Sequence, residues 1–117
     1  APVIAEEGND ATPSWAERVK AVVVEELKQQ REVTTSSLAQ QLTTSERQLL
    51  RKCREATGKT TKQLLQEIRL DYAKELIESK RVGTVAELAN AVGFKSPNYF
   101  SQRFVAQFGI RPSELLD

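Results

Sequence analysis

The chain has 117 residues, 39% of them apolar, with 17 basic and 16 acidic side chains and a formal net charge of +1, which fits one globular domain with its own core. The absence of His and the single Cys53 exclude Ser-His-Asp and Cys-His catalysis, a disulfide framework and any Cys-rich zinc module. The longest apolar run, Ala21 to Val24, excludes a membrane-spanning helix, the opening APVIAEEGND spells no secretory signal, and the absence of Met reads as a segment cut from a longer protein or, as the lesser alternative, a processed product.

Residues 1–13 carry Pro2, Gly8, Asn9 and Asp10 without an apolar period and read as a disordered linker or tail. Beyond them apolar residues recur at spacings of three and four, which predicts an all-α fold of about seven helices. The predicted spans are 14–30, 35–42, 46–57, 61–80, 85–92, 97–108 and 112–116. The first opens on a capping box, Ser14 with Glu17, and lays Trp15, Val19, Val22, Val23 and Leu27 on one face. Thr34 is the expected cap of the second. Ser45 with Gln48, Thr60 with Gln63 and Thr84 with Glu87 repeat the capping-box spelling, and Ser96 precedes Pro97 at a first helical position. Gly58, Gly83, Gly93 and Gly109 sit where helices should stop.

The fourth helix groups Leu64, Leu65, Ile68, Tyr72, Leu76 and Ile77. Taken from Thr61 to Ser79 it spans about 28 Å. Its charges, Glu67, Arg69, Asp71, Lys74, Glu75, Glu78 and Lys80, read as an ordinary solvated face. Trp15, Tyr72 and Cys53 read as core residues, and no paired carboxylates, phosphate loop or metal spacing calls for catalysis or a cofactor.

The chain also repeats itself. Leu38, Ala39 and Leu42 recur 50 residues later as Leu88, Ala89 and Val92. After one inserted residue, Leu49, Cys53, Thr57, Gly58, Leu64 and Leu65 recur 51 later as Phe100, Phe104, Phe108, Gly109, Leu115 and Leu116. Each copy is a short helix, a tight turn and a longer helix, with an Ala where the second helix crosses closely. That is the helix-turn-helix spelling. A repeated hairpin used for protein contacts is the rival reading.

Residues 84–116, TVAELANAVGFKSPNYFSQRFVAQFGIRPSELL, resemble the signature half of the AraC/XylS family of bacterial transcription regulators. The VGF turn, the SPNYFS helix start, the FG and the PSEL close carry the likeness. Residues 34–81 resemble the first half of the same DNA-binding domain, through the TG after its second helix and the I-R-L-x-x-A-x-x-L-I linker. Thr43 stands for the usual Gly of the first turn, Cys53 for a common aromatic and Arg111 for a capping Ser or Thr. The implied organisation is a DNA-binding domain over 14–117, with helix-turn-helix units at 34–58 and 84–109 around a linker helix at 60–81.

In a helix-turn-helix the second helix enters the major groove. With Leu49 and Cys53 inward, flanked by Ala56, its outward stripe is Arg47, Leu50, Arg51 and Arg54. The repeat maps these onto Asn98, Ser101, Gln102 and Val105. The resemblance places base contacts at 47, 50 and 51 and at 98, 101 and 102. Ser45, Glu46, Lys52, Arg54, Lys95 and Ser96 complete the candidate DNA-binding set. Arg47 and Arg51 can pair bidentately with guanine O6 and N7 or fall back onto phosphates, and Asn98 and Gln102 can pair with adenine N6 and N7. Leu50 offers only apolar contact, and Glu46 would accept from cytosine N4 or repel phosphate.

Residues 33–66 hold six basic and two acidic groups, residues 1–32 hold four and seven, and the remainder balances. A near-neutral chain thus hides a basic first unit, the charge footprint of a DNA surface. The expected partners are double-stranded DNA and an upstream regulatory domain in the parent chain, with RNA polymerase as a further candidate. The expected location is the cytoplasm, without membrane contact. The helix spellings lie nearer the output domains of response regulators and hybrid two-component proteins than those of sugar-binding activators.

Overall fold

The computed structural model describes residues 14–116, and the tail expected at 1–13 lies outside the described residues. Among the described residues there are seven helices and no strand: α1 Trp15–Lys28, α2 Thr35–Gln41, α3 Glu46–Thr57, α4 Thr61–Glu78, α5 Val85–Ala91, α6 Pro97–Phe108 and α7 Pro112–Leu115. No helix among them is long and apolar enough to cross a membrane.

The caps explain most of the boundaries. Ser14 with Glu17 and Thr60 with Gln63 form complete capping boxes. Thr34 closes a third box with the hydroxyl of Ser37, a spelling outside the usual Glu or Gln. Ser45, Thr84 and Ser96 each accept from the backbone N–H three residues on. Glu87, however, reaches past Thr84 to accept from the Gly83 N–H at 3.0 Å, and Gln48 turns to Arg51. Gly83 terminates nothing: α4 ends on Ser79, and Lys80 takes the left-handed position with φ +59°. Arg111 starts α7 without a side-chain cap and instead donates to Glu114.

The repeat holds in three dimensions. Leu38 and Leu88 are 1% and 0% exposed, and Ala39 and Ala89 are buried beside them. In the first turn Thr43 N–H donates to Gln40 and Thr44 N–H to Ala39; in the second Gly93 N–H donates to Asn90 and Phe94 N–H to Ala89. The two cores are filled differently. The first unit buries Leu49 and Cys53, and α1 lies across α2 and α3 to add Val19 and Val23. The second has no such covering helix and fills itself with rings, Phe94, Phe100, Phe104 and Phe108, whose successive centroids lie 5.3, 5.7 and 4.6 Å apart. Where the second unit buries the ring of Phe104, the first buries the smaller Cys53 and has α1 packed on α3. Repeat symmetry stops at α7: Leu64 and Leu65 are buried, but Leu115 is exposed and Leu116 half-buried, because α7 ends where α4 runs on between the units. Ala56, expected to flank the buried face of α3, is exposed.

Helix α4 packs against α1, α3, α5 and α6. Being wedged between two units, it buries Leu70 and Ala73 as well as the expected apolar group. Three of its charges also leave the solvated face, Glu67 being half-buried in an ion pair with Lys59 at 3.4 Å. Arg69 is half-buried, its Nη2 donating to the Val33 carbonyl at 2.9 Å, and burial lowers its pKa against the opposing pull of Glu32. Asp71 is half-buried against α6, accepting from Gln107 Nε2 at 2.8 Å.

Burial, and next the charge of Glu67, push the Asp71 carboxyl above the ordinary aspartate range, while Lys20 and the Gln107 bond pull it back. The folded chain therefore holds this proton more tightly than the unfolded chain. The group's contribution to stability is weakest at neutral pH, where it is ionised, and grows as pH falls through the raised pKa. Asp71→Asn keeps an acceptor for Gln107 and removes the buried charge. Urea unfolding should find it more stable than the wild type at neutral pH, with the gap closing as pH falls through the raised pKa. A less stable variant at neutral pH would mean that the ionised form is net favoured.

Candidate nucleic-acid interface

Helix α3 has a buried side and a basic side. Leu49 and Cys53 turn inward, and Arg47, Leu50, Arg51 and Arg54 form the exposed stripe expected from their spacing. Helix α6 repeats the division, with Phe100 and Phe104 inward and Asn98, Gln102 and Val105 exposed. Ser101 on that face is half-buried. Each stripe carries one apolar side chain open to solvent, Leu50 at 37% and Val105 at 38%. These two occupy different repeat positions, so the apolar contact on offer sits one turn further along α6.

Individual side chains are held by neighbours that spacing alone did not single out. The Arg51 guanidinium donates from Nε and from Nη2 to Gln48 Oε1, and from Nη1 to Glu55 at 3.1 Å. Gln48 and Glu55 stand three residues before and four after Arg51, so helical neighbourhood was the signal available. Both partners of the ion pair are more than half exposed, which leaves it easily exchanged for a DNA acceptor. Glu46 accepts from the Thr35 hydroxyl at 3.1 Å and is thereby tied to the first turn of α2.

The remaining candidates divide. Ser45 and Ser96 spend their hydroxyls on caps at the starts of α3 and α6. Lys52 stands off the stripe, its Nζ 4.9 Å from the centre of the Trp15 ring, with Arg18 on the same ring at 5.3 Å. Trp15 thus joins α1 to α3 through cation–π contacts. Lys95 lies exposed just before α6, on the rim of the cleft between the two units. Tyr99, 49% exposed, was not among the candidates; its hydroxyl accepts from Gln66 of α4 at 3.2 Å and so steadies the first turn of α6.

Comparison with known proteins agrees with this geometry. A protein family described as "Helix-turn-helix domain" matches residues 38–117. A histidine kinase from Formosa agariphila is 36% identical over 78 residues, covering 67% of this chain and 6% of the kinase. The HTH-type transcriptional activator RhaR of Escherichia coli is 34% identical over 70 residues, covering 60% of this chain and 24% of RhaR. The C-terminal domain of AraT, a response regulator from Geobacillus stearothermophilus, superposes with a TM-score of 0.68 at 28% identity, covering 86% of this chain and 81% of that one. The chain therefore spans a small part of the length of the two full-length relatives.

Proposed function

The chain belongs to the helix-turn-helix family of AraC-type bacterial transcription regulators, and on that premise we propose that residues 14–117 place α3 and α6 in two successive major-groove segments of one DNA site. The observation that carries the reading is the pair of exposed stripes at equal repeat offset, each presented by the same turn. In this assignment Arg47 and Arg51 pair with guanine, Asn98 and Gln102 with adenine, and Leu50 meets a thymine methyl. Arg54, Lys52 and Lys95 serve phosphates. Ser45, Ser96 and Ser101 hold the starts and flank of the two helices against the groove, and Glu46 accepts from a cytosine amino group when Thr35 releases it.

Helix α4 has 18 residues and is about 27 Å long, against about 34 Å between successive major-groove faces. With a packed unit at each end it suits two recognition helices one turn apart. The domain works by binding and not by catalysis. A histidine kinase and a response regulator among its relatives support a role as the output domain of a two-component protein acting in the cytoplasm. Its parent chain then supplies the regulatory domain, and RNA polymerase is the further partner.

The test is selection of duplexes from a random library, followed by anisotropy titration across salt concentrations. Two boxes about one turn apart support the reading, whereas no salt-dependent binding at all favours the rival, a protein-interaction module. Arg54→Ala should weaken binding to all sequences alike and reduce the log–log salt slope by about 0.9. Lys52→Ala tests the second candidate in the same titration. An unchanged slope in both variants would move the electrostatic anchor elsewhere in the chain.

A further inference from the structure

Two positions that the repeat makes equivalent differ in what surrounds them. Thr43 and Gly93 both take the left-handed residue of their turns, with φ of +53° and +86°. Thr43 is exposed, and its turn accommodates a full side chain. At Gly93 an added Cβ would stand 3.3 Å from Arg69 Nε and 3.5 Å from Leu27 Cδ2. Backbone conformation alone does not account for that crowding, since Thr43 adopts the same region without it. Gly93 is itself exposed, but the inner side of its turn rests on the Arg69 guanidinium and on the Leu27 side chain of α1.

Arg69 touches three parts of the molecule. It grows from α4, its Nη2 donates to the Val33 carbonyl in the loop between α1 and α2 at 2.9 Å, and its Nε lies buried beneath Gly93 without a hydrogen-bond partner among the described residues. Around it the two units do not close up: a cleft of about 1130 Å³ opens between them, lined from the first unit's side by Lys28 and Glu32 and from the second's by Asn90 and Lys95. The relative placement of the units thus rests on their separate packing against α4, on the approach of Leu27 to the second turn, and on this bridging side chain. Arg69 holds the first unit's side by a hydrogen bond and the second turn by contact with its planar, rigid guanidinium.

We propose that Arg69 is a positioning residue that fixes the separation and rotation of the two recognition helices, so that the domain selects sites by the number of base pairs between its two boxes. The inference rests on the reading that both α3 and α6 enter the groove. One inserted base pair displaces the second box by about 3.4 Å and rotates it by about 34°. A rigid pair of units then loses contacts in one box, and a loosely joined pair keeps them.

The experiment uses the 117-residue chain and the two-box duplex obtained by selection. Duplexes with one base pair added or removed between the boxes, and a duplex with the first box alone, complete the set. The wild type should lose about tenfold in affinity when the spacing changes by one. Arg69→Gln should shrink that loss to about threefold or less, with affinity for the single box unchanged. Arg69→Lys, which keeps a donor for the Val33 carbonyl, should fall between. Wild-type discrimination in Arg69→Gln with single-box binding intact overturns the proposal. If Arg69→Gln loses single-box binding as well, Arg69→Lys decides: reduced discrimination supports the proposal and wild-type discrimination overturns it. A wild type that binds one box and ignores the other overturns the two-groove reading itself, and the positioning role with it.

Discussion

Leu88→Ala and Leu38→Ala should each destabilise the fold by about 2–5 kcal/mol. Both leucines are fully buried on the short first helix of their unit, each followed by the alanine that lets the recognition helix approach. Truncation leaves a cavity at the crossing of the two helices, and its cost depends on how far the surroundings relax into it. The second unit is lined by Phe94, Phe100 and Phe104, rings that pack against one another and shift little. The first is lined by aliphatic side chains, several of them from α1, which have more rotamers to try. Leu88→Ala therefore belongs near the top of the range and Leu38→Ala lower. Total stability for a small domain is about 5–15 kcal/mol, so either loss is a large share of it. Urea unfolding followed by circular dichroism measures both. A cost under about 1 kcal/mol at either position would mean that the two leucines are not equivalent crossing points.

Much of this architecture was legible because local chemistry decides it. Ser14 with Glu17 and Thr60 with Gln63 close the boxes their spelling announces, and the offsets of 50 and 51 place α5 and α6 on α2 and α3. The stripe Arg47, Leu50, Arg51 and Arg54 was legible for the same reason, since an α-helix with two inward residues fixes where the others point. What escaped reading depends on contacts between distant segments. Arg69 and Asp71 have the spacing of a solvated face, and only the closing of the loop at Val33 and of α6 at Gln107 takes them out of water. Gly83 looked like a stop signal, yet Lys80 accepts the left-handed conformation three residues earlier. The pairing of Leu115 and Leu116 with Leu64 and Leu65 failed for a similar reason, because burial there needs the second unit that only α4 meets.

On the proposed reading the two units would also divide the work of binding. Every cation of the α3 stripe has a neutral counterpart: Arg47 maps onto Asn98, Arg51 onto Gln102 and Arg54 onto Val105. Charge attracts DNA of any sequence, whereas amides and apolar groups gain little unless the bases match. On this chemistry the first unit would anchor the complex, and the second would add discrimination at small cost in non-specific affinity. The charges agree with that division, six basic against two acidic over residues 33–66 and three against three over 82–117.

Gln102→Arg should redirect the second box from adenine towards guanine and leave the first box alone. Arginine matches the O6 and N7 acceptors of guanine, where glutamine matches the N6 and N7 pair of adenine, and a bidentate contact is worth about 1–3 kcal/mol of discrimination. The copy at Arg51 indicates how much of that range to expect. There Gln48 and Glu55 hold the guanidinium from two sides before DNA arrives. The equivalent neighbours of position 102 are Tyr99, already bonded to Gln66, and Ala106, which offers no acceptor. An arginine placed there is unbraced and must lose more side-chain freedom on binding, so the shift should lie near the lower end, at about 1 kcal/mol. Adding Ala106→Glu restores one brace at the i+4 position and should strengthen the guanine preference of the double variant. Selection from one random library with the wild type, Gln102→Arg and the double variant measures all three. The first box should be common to every selection, because distant sites act independently. Identical consensus sequences from all three would mean that position 102 reads no base, and that α6 serves the phosphate backbone instead.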